Sequence, residues 1–406
     1  MSEPTISVVV PHYRDPGRLG LVLAGLDEQT WPASDLEVVV ADDGSPEPPD
    51  LGEHAYAVRL VRQEDLGFRA AAARNLGLAS ARGSLVCFLD GDTVPEPGYL
   101  EAMARACEGG WTLAVGRRRH AYLTGWQPAQ VRAWLRGGGT APPELDDPQW
   151  LADGYAATDD LRQADDASFR FVISAVLAAP VELLTAVDGF DPDFLGYGGE
   201  DWDLAQRCWL AGAELCHVPD AVAWHDGPDL AGRETDLAAA KNRETVQLAR
   251  VLTHPLVRGH GGVYAVPDLA AEVDASGWSL GQTVVVLDAL LRHPDVGVWL
   301  SGVDASPLED PRVHVEALPA RVSRRCRHRL QVTDPVVPRG WSLRDGISWA
   351  GGADADEPGG WAATTTRALS LARRAGTRAP WAPISAPLQT VPADAVVERW
   401  RGRAAR

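Results

Sequence analysis

Three acidic groups stand at points where the chain changes direction. Asp90-Gly91-Asp92 follows the apolar run Leu85–Leu89, and Asp42-Asp43 follows Leu36–Val40. Continuous apolar runs of this length read as strands buried on both faces. Two carboxylates two residues apart, on a turn after a strand, can hold a hard divalent cation. Such a cation keeps substrate phosphate oxygens and waters as its other ligands. Asp and Gly also favour turns for conformational reasons of their own, so the pattern alone does not establish a metal. The third group, Glu200-Asp201, opens a stretch with helical spacing that puts Leu204, Cys208 and Trp209 inward. Acidic residues suit the first turn of a helix, where they meet the positive end of its dipole.

These groups need a scaffold that brings them together. Ile6–Val10 is a β-branched run stopped by Pro11. Leu19–Gln29 has helical spacing, Ala57–Val61 reads as a strand, Ala70–Ala81 as an alanine-rich helix ended by Gly83, and Trp111–Val115 as a further strand. Strands alternating with helices predict an α/β fold with a mostly parallel sheet flanked by helices. Ligands of such sheets bind beyond the carboxyl ends of the strands, so both strand-end acidic clusters should face one crevice. Residues 117–167 read as a variable, partly mobile insertion that begins with Arg117-Arg118-Arg119. The triplet reads as a solvated loop, or else reaches phosphates or an acidic acceptor. His254-Pro255 through Gly261-Gly262 is the expected boundary between a catalytic domain, residues 1–260, and a smaller C-terminal α/β or α+β domain, 261–406. The strand-like runs of the latter are Gly262–Val266, Val296–Leu300 and Val313–Leu318. Trp278, Trp299, Trp341, Trp349, Trp361, Trp381 and Trp400 there form either a sugar-binding face or core packing.

The net charge of −18 argues against nucleic acid, because a phosphate backbone demands a basic face. No run reaches the ~20 apolar residues of a transmembrane helix, and the first residues lack the pattern of a signal peptide. The five cysteines are odd in number and contain no Cys-x-x-Cys pair, which points to reduced thiols in a cytoplasm.

The chain resembles the family 2 glycosyltransferases of the GT-A fold. Four motifs in order carry the resemblance: Ser7-Val8-Val9-Val10-Pro11-His12-Tyr13; Val38-Val39-Val40-Ala41-Asp42-Asp43-Gly44-Ser45; Phe88-Leu89-Asp90-Gly91-Asp92; and Gly196-Tyr197-Gly198-Gly199-Glu200-Asp201-Trp202-Asp203. Gly67-Phe68-Arg69 through Arg74-Asn75 looks like the family segment between the second and third. The last motif and Val187-Asp188-Gly189-Phe190-Asp191 are most similar to galactosyl- and N-acetylgalactosaminyltransferase-type members. The similarity spans about residues 5 to 227.

The resemblance implies roles. Pro11, His12 and Tyr13 lie where the family contacts the nucleotide, and Asp43 takes the place of the aspartate that reads the uracil ring. Arg69 matches an arginine on the nucleotide or diphosphate; Arg74 is a weaker candidate. Asp90 and Gly91 would face the ribose, with Asp90 also towards the metal. Asp92 would ligate the metal directly, and His225 matches a third ligand found in some members. Asp201 is the candidate catalytic base, which its helix N-terminus should keep ionised. Glu200 would hydrogen-bond a substrate sugar. Trp202 either stacks on a sugar or packs in the core. Ala178-Ala179-Pro180-Val181-Glu182 lacks the basic residue the family often carries there.

The leading expectation is an inverting, Mn2+- or Mg2+-dependent transferase. It would move a hexose or N-acetylhexosamine from a UDP-sugar to a saccharide, natural product or peptide, as a monomer or a homo-oligomer. A sugar-1-phosphate nucleotidyltransferase would want a Gly-rich, Arg-containing loop where Pro11-His12-Tyr13 stands. A catalytically inactive nucleotide-sugar-binding module or assembly scaffold would not need Asp90, Asp92 and Asp201 together.

Overall fold

Four apolar residues and Ser7 are buried in succession at Ile6–Val10 of β1 (Ile6–His12), and β2 (Leu36–Asp42) is buried at every position. These two strands anchor a sheet that the computed structural model extends on both sides. The structure describes residues 5–196, 198–228, 237–259, 262–338, 360–384 and 388–395. The half-buried β3 (Ala57–Arg62) edges β2, and β4 (Leu85–Leu89) lies on the far side of β1, all in parallel register. Helices α1 (Pro16–Asp27) and α2 (Ala70–Ser80) make the crossovers into β2 and β4. Beyond β4 the direction mixes. The next strands are β5 (Thr93–Pro95), β6 (Thr112–Ala121), β7 (Glu144–Leu145), β8 (Val176–Pro180) and β9 (Glu214–Asp226). They continue the order β4-β8-β6-β9-β5, with β7 on β6. β8 runs antiparallel to β4 and β6, while β6 and β9 are parallel. The helices of this region are α3 (Tyr99–Cys107), α4 (Pro128–Leu135), α5 (Gln149–Ala157), α6 (Val181–Ala186), α7 (Glu200–Leu210) and α8 (Leu237–Val251).

The arginine triplet is not in a loop. Arg117, Arg118 and Arg119 continue β6 past a register shift at Gly116/Arg117 and pair with Val222, Ala223 and Trp224 of β9. A strand tolerates Arg117 and Arg119 because each meets partners from other segments of the chain. Arg119 lies 4.3 Å over the Trp224 ring and meets Glu144 at 2.7 Å, and Arg117 meets Asp147 at 3.3 Å. The remainder of 117–167 carries α4, β7 and α5.

The chain divides into two compact units, Met1–Trp209 with Ala213–Gln247, and Leu210–Gly212 with Leu248 onward. The division falls within α8, not at His254–Gly262. In the second unit Gly262–Val266 forms no strand. Arg258 donates to the carbonyls of Ala249 and Val266, so these acceptors are satisfied without a ladder. Its main sheet begins at β10 (Leu269–Asp274), followed by α9 (Leu280–Leu290), β11 (Val296–Ser301), β12 (Val313–His314), α10 (Ala320–Ser323) and β13 (His328–Val332). Of the run Val313–Leu318 only the first two residues pair as a strand. Then come β14 (Val336–Pro338), β15 (Trp361–Thr365), α11 (Thr366–Ala375), β16 (Ala382–Pro383) and β17 (Leu388–Thr390). The order is β12-β11-β10-β13-β15-β16, with a separate β14-β17 ladder. Trp299 and Trp361 are buried, and Trp278 packs against the core around Trp361, so these three serve packing. Trp341, Trp349 and Trp400 lie outside the described residues, as does Tyr197 of the fourth motif.

Candidate active site

The carboxyl ends of β1 and β2 form one wall. Asp42 is fully buried; its carboxylate takes the backbone N–H and hydroxyl of Ser45 and, at 2.7 Å, the Nε of Arg62. It therefore holds the turn. Asp43 stands beside it and accepts from Gln63 Nε2 at 2.5 Å and from the Arg69 backbone N–H at 2.8 Å. Gly44 makes this approach possible: its φ is +87°, and a Cβ there would lie 2.4 Å from the Asp65 nitrogen. Asp43 and Arg69 are thus neighbours. His12 is buried, and burial lowers its pKa against the pull of Asp42 and Asp15. Tyr13 is exposed and donates its hydroxyl to Asp65 at 3.1 Å.

The Asp90-Gly91-Asp92 turn is pressed onto the end of β1. A Cβ at Gly91 would stand 2.7 Å from the Pro11 carbonyl oxygen, so glycine alone allows the contact. Strand β5 then sets Thr93 opposite His225 of β9. Asp92 Oδ2 lies 3.3 Å from His225 Nε2. His225 Nδ1 faces the Gly227 carbonyl at 3.2 Å. A carbonyl only accepts, so Nδ1 is the donor of that contact, and Nε2 is the ring nitrogen left facing the Asp92 carboxylate. One carboxylate and one such imidazole suit a divalent ion that takes its other oxygens from substrate and water. Among the described residues, no three His, Cys, Asp or Glu side chains converge as a ready-made metal cage. Asp90 contributes its carboxylate elsewhere, to Arg74.

Arg74 is the residue whose importance the sequence understates. It is buried in α2, donates to Asp90 Oδ1 at 2.7 Å and to Glu200 Oε1 at 2.9 Å, and lies 5.3 Å over the Phe190 ring. The two carboxylates raise its pKa against the effect of burial. A basic residue on the buried face of an alanine-rich helix was the available signal, since buried charge demands partners. Asn75, next along, accepts from the Phe190 N–H and donates to its carbonyl, fixing the segment that leads to α7.

Glu200 and Asp201 occupy the first turn of α7. Asp201 accepts from the backbone N–H of Trp202 at 2.9 Å and of Ser174 at 3.4 Å. The expectation that the helix terminus would hold its pKa down is corrected here. Burial pushes it up to about 7, reinforced by Glu200 and opposed by Arg74 and the two N–H groups. Desolvation outweighs the helix dipole because the dipole's effect is worth only ~0.3–1 kcal/mol. Trp202 is half-buried, edge-on to Phe169 at 5.8 Å.

Asp90, Arg74, Glu200, Asp201 and Trp202 line one cavity of about 500 Å³. Phe68, Arg118, Trp150, Ser174 and the Lys241–Glu244 pair complete its walls. Pro11, His12, Tyr13, Asp43, Arg69, Gly91, Asp92 and His225 are not among its lining residues. No described helix is long and apolar enough to cross a membrane.

Residues 7–160 match the family described as "Glycosyl transferase family 2", and residues 166–224 match "N-terminal domain of galactosyltransferase". The chain is 31% identical over 263 residues to the chondroitin synthase of Escherichia coli, covering 60% of this chain and 38% of that protein. It is 32% identical over 226 residues to validoxylamine A glucosyltransferase of Streptomyces hygroscopicus subsp. jinggangensis, covering 52% and 53%. The chain thus spans about half or less of these relatives. Among solved structures, the mannosyltransferase PcManGT from Pyrobaculum calidifontis, in complex with GDP-Man and Mn2+, aligns at 20% identity. Its TM-score is 0.42, over 63% of this chain and 67% of that one. The N-terminal part of the chain, residues 7–160, is thus similar to glycosyl transferase family 2.

Proposed function

We propose that the chain is an inverting glycosyltransferase that moves a hexose or N-acetylhexosamine from a UDP-sugar to an acceptor hydroxyl, with Mn2+ or Mg2+ as cofactor. The observation that carries this reading is the cavity in which Asp201 faces the same space as Asp90 while standing on a separate segment. The family match over residues 7–160 and the two named relatives support sugar transfer.

In this reading the Asp43 carboxylate accepts from the base, and Arg69 closes that end of the nucleotide site. Asp92 and His225 would hold the cation, which supplies charge neutralisation to the leaving diphosphate. Asp201 takes the proton of the acceptor hydroxyl as its oxygen attacks the anomeric carbon. Burial gives Asp201 the proton affinity this task needs, since a base works best with its pKa near the operating pH. Glu200, held by Arg74, hydrogen-bonds a substrate sugar. The cavity walls exclude water from the attack.

A panel of UDP-hexoses and UDP-N-acetylhexosamines, incubated with and without Mn2+, tests the proposal. Release of UDP that needs Mn2+ is expected for at least one donor. Failure of every donor, together with no UDP binding by calorimetry, would reject it. We assign acceptor choice or assembly to the C-terminal unit, because every motif with a chemical role precedes residue 228. A truncated protein ending near His260, itself outside the described residues, should bind UDP but lose transfer; normal transfer would remove that role.

A further inference from the structure

Helix α5 keeps one large apolar side chain out of the core. Its inward face is firmly seated. A Cβ on Gly154 would lie 2.2 Å from the Phe171 ring, so helix and ring touch without a side chain between them. Tyr155 stacks on His217 with centroids 3.6 Å apart and donates its hydroxyl to the Phe171 carbonyl at 2.8 Å. Leu151 is buried beside them. Trp150 precedes Leu151, is 45% exposed, and lines the cavity that contains Asp201. An indole in this place keeps nearly half of its surface hydrated, which cuts what it adds to folding.

The cavity is lined by two sets of segments. Phe68, Arg74 and Asp90 come from those that carry the nucleotide motifs. Trp150, Ser174 and Asp201 come from later in the chain, and Asp201 accepts from the Ser174 N–H. A base that deprotonates the acceptor must touch the acceptor, so the acceptor enters the cavity that Trp150 also lines. Of the three cations that line the cavity, Arg74 is paired with Asp90 and Glu200, Lys241 with Glu244 at 2.7 Å, and Arg118 lies on β6. What Trp150 presents is a flat, rigidly based aromatic face among polar groups. That face complements a saturated ring, whose axial C–H bonds are apolar and whose hydroxyls point outward.

We propose that Trp150 is the platform for the acceptor ring, and that the acceptor is accordingly a glycoside with a pyranose at its reactive end. The inference rests on the transferase reading above and adds the acceptor class. Trp150 is a specificity-determining residue, and its aromatic face, not its N–H, performs the task.

The full-length protein, its Trp150→Ala variant and its Trp150→Phe variant are assayed with the donor found in the panel. The acceptor probes are p-nitrophenyl pyranosides, a serine-containing peptide and glycerol. The wild type is expected to prefer pyranosides. Trp150→Ala should raise the KM for the pyranoside roughly tenfold, the usual scale for losing one aromatic contact. Its KM for the donor should stay within about twofold, and Trp150→Phe should recover most of the loss. Thermal melting of all three proteins should coincide, because Trp150 lies outside the core. Wild-type acceptor KM in the Ala variant overturns the inference, as does a loss confined to kcat that Phe does not rescue, or a preference of the wild type for peptide or glycerol. A wild type that binds no UDP and consumes no UDP-sugar overturns the transferase reading, and this inference with it.

Discussion

Replacing Arg74 with methionine retains much of the side-chain volume and deletes the charge. The guanidinium is 3% exposed and meets Asp90 and Glu200 at 2.7 and 2.9 Å. Removing one partner of a buried ion pair costs about 3–5 kcal/mol, because the other charge stays desolvated. The Asp90 side chain is 30% exposed, so water replaces part of its loss and the lower end, ~3 kcal/mol, applies. At ~2–4 °C per kcal/mol for a domain of this size, Tm should fall by about 6–12 °C. The loss should depend on pH in a definite direction. Arg74 opposes the rise in the pKa of Asp201, so its removal lets a carboxyl of the Glu200–Asp201 pair hold a proton to higher pH. Below neutrality the folded variant then binds a proton that the unfolded chain has released. A group whose pKa is raised by folding stabilises below its unfolded value, ~4, and loses that contribution as pH climbs through the folded value. The deficit relative to wild type is therefore larger at pH about 8.5 than at about 5.5, where a bound proton relieves the repulsion. Thermal melting of both proteins at the two pH values measures it. A Tm within about 2 °C of wild type at the higher pH would refute the reasoning, and so would a deficit that grows on acidification.

Asp201→Asn should keep UDP affinity yet lower kcat by about 10² or more, the range for a lost general base. The wild-type kcat/KM should rise with pH and level off above about 7, as Asp201 sheds its proton; a flat profile, or an active Asn variant, counts against it as the base. Asp92→Ala should weaken Mn2+-dependent UDP binding in calorimetry, because it removes the anionic member of the Asp92–His225 pair; unchanged affinity would exclude the assignment. Gly91→Ala should lower Tm by the equivalent of about 1–3 kcal/mol, since the added methyl meets the backbone oxygen of Pro11, which has no rotamer to change. Wild-type melting would mean that the turn does not press on β1 as described.

What the sequence made legible is what short-range pattern determines. β1 and β2 are mostly apolar runs and β4 a continuous one, each with a clear stop, and α7 begins with three acidic residues within its first turn. The second half of β6 escaped because its support is not local. Arg117–Arg119 look like loop until Trp224, Glu144 and Asp147 arrive from elsewhere in the chain. Gly262–Val266 misled in the opposite sense: it has the apolar content of a strand, but the Arg258 guanidinium takes the Val266 carbonyl. The candidate site divides along the same line. Positions of the carboxylates follow from strand ends and a helix start. The charge state of Asp201 does not, because it depends on how much water the folded chain leaves around it.

The environment of that carboxyl follows from how α7 distributes two adjacent acids. Successive residues on a helix point about 100° apart, so Glu200 and Asp201 cannot share one partner. Glu200 takes the Arg74 guanidinium, which Asp90 already half neutralises. Asp201 receives only the N–H groups of Trp202 and Ser174, the latter at a long 3.4 Å. It therefore faces an acidic neighbour whose cation is shared with Asp90. Each half of the arrangement has a distinct consequence. Pairing Asp201 directly with Arg74 would hold it ionised but make it a poor proton acceptor. Burying it without Arg74 nearby would leave it protonated at neutral pH. The observed division gives the proposed base a proton affinity near neutrality, and it does so with a cation anchored on a different helix from the base it tunes.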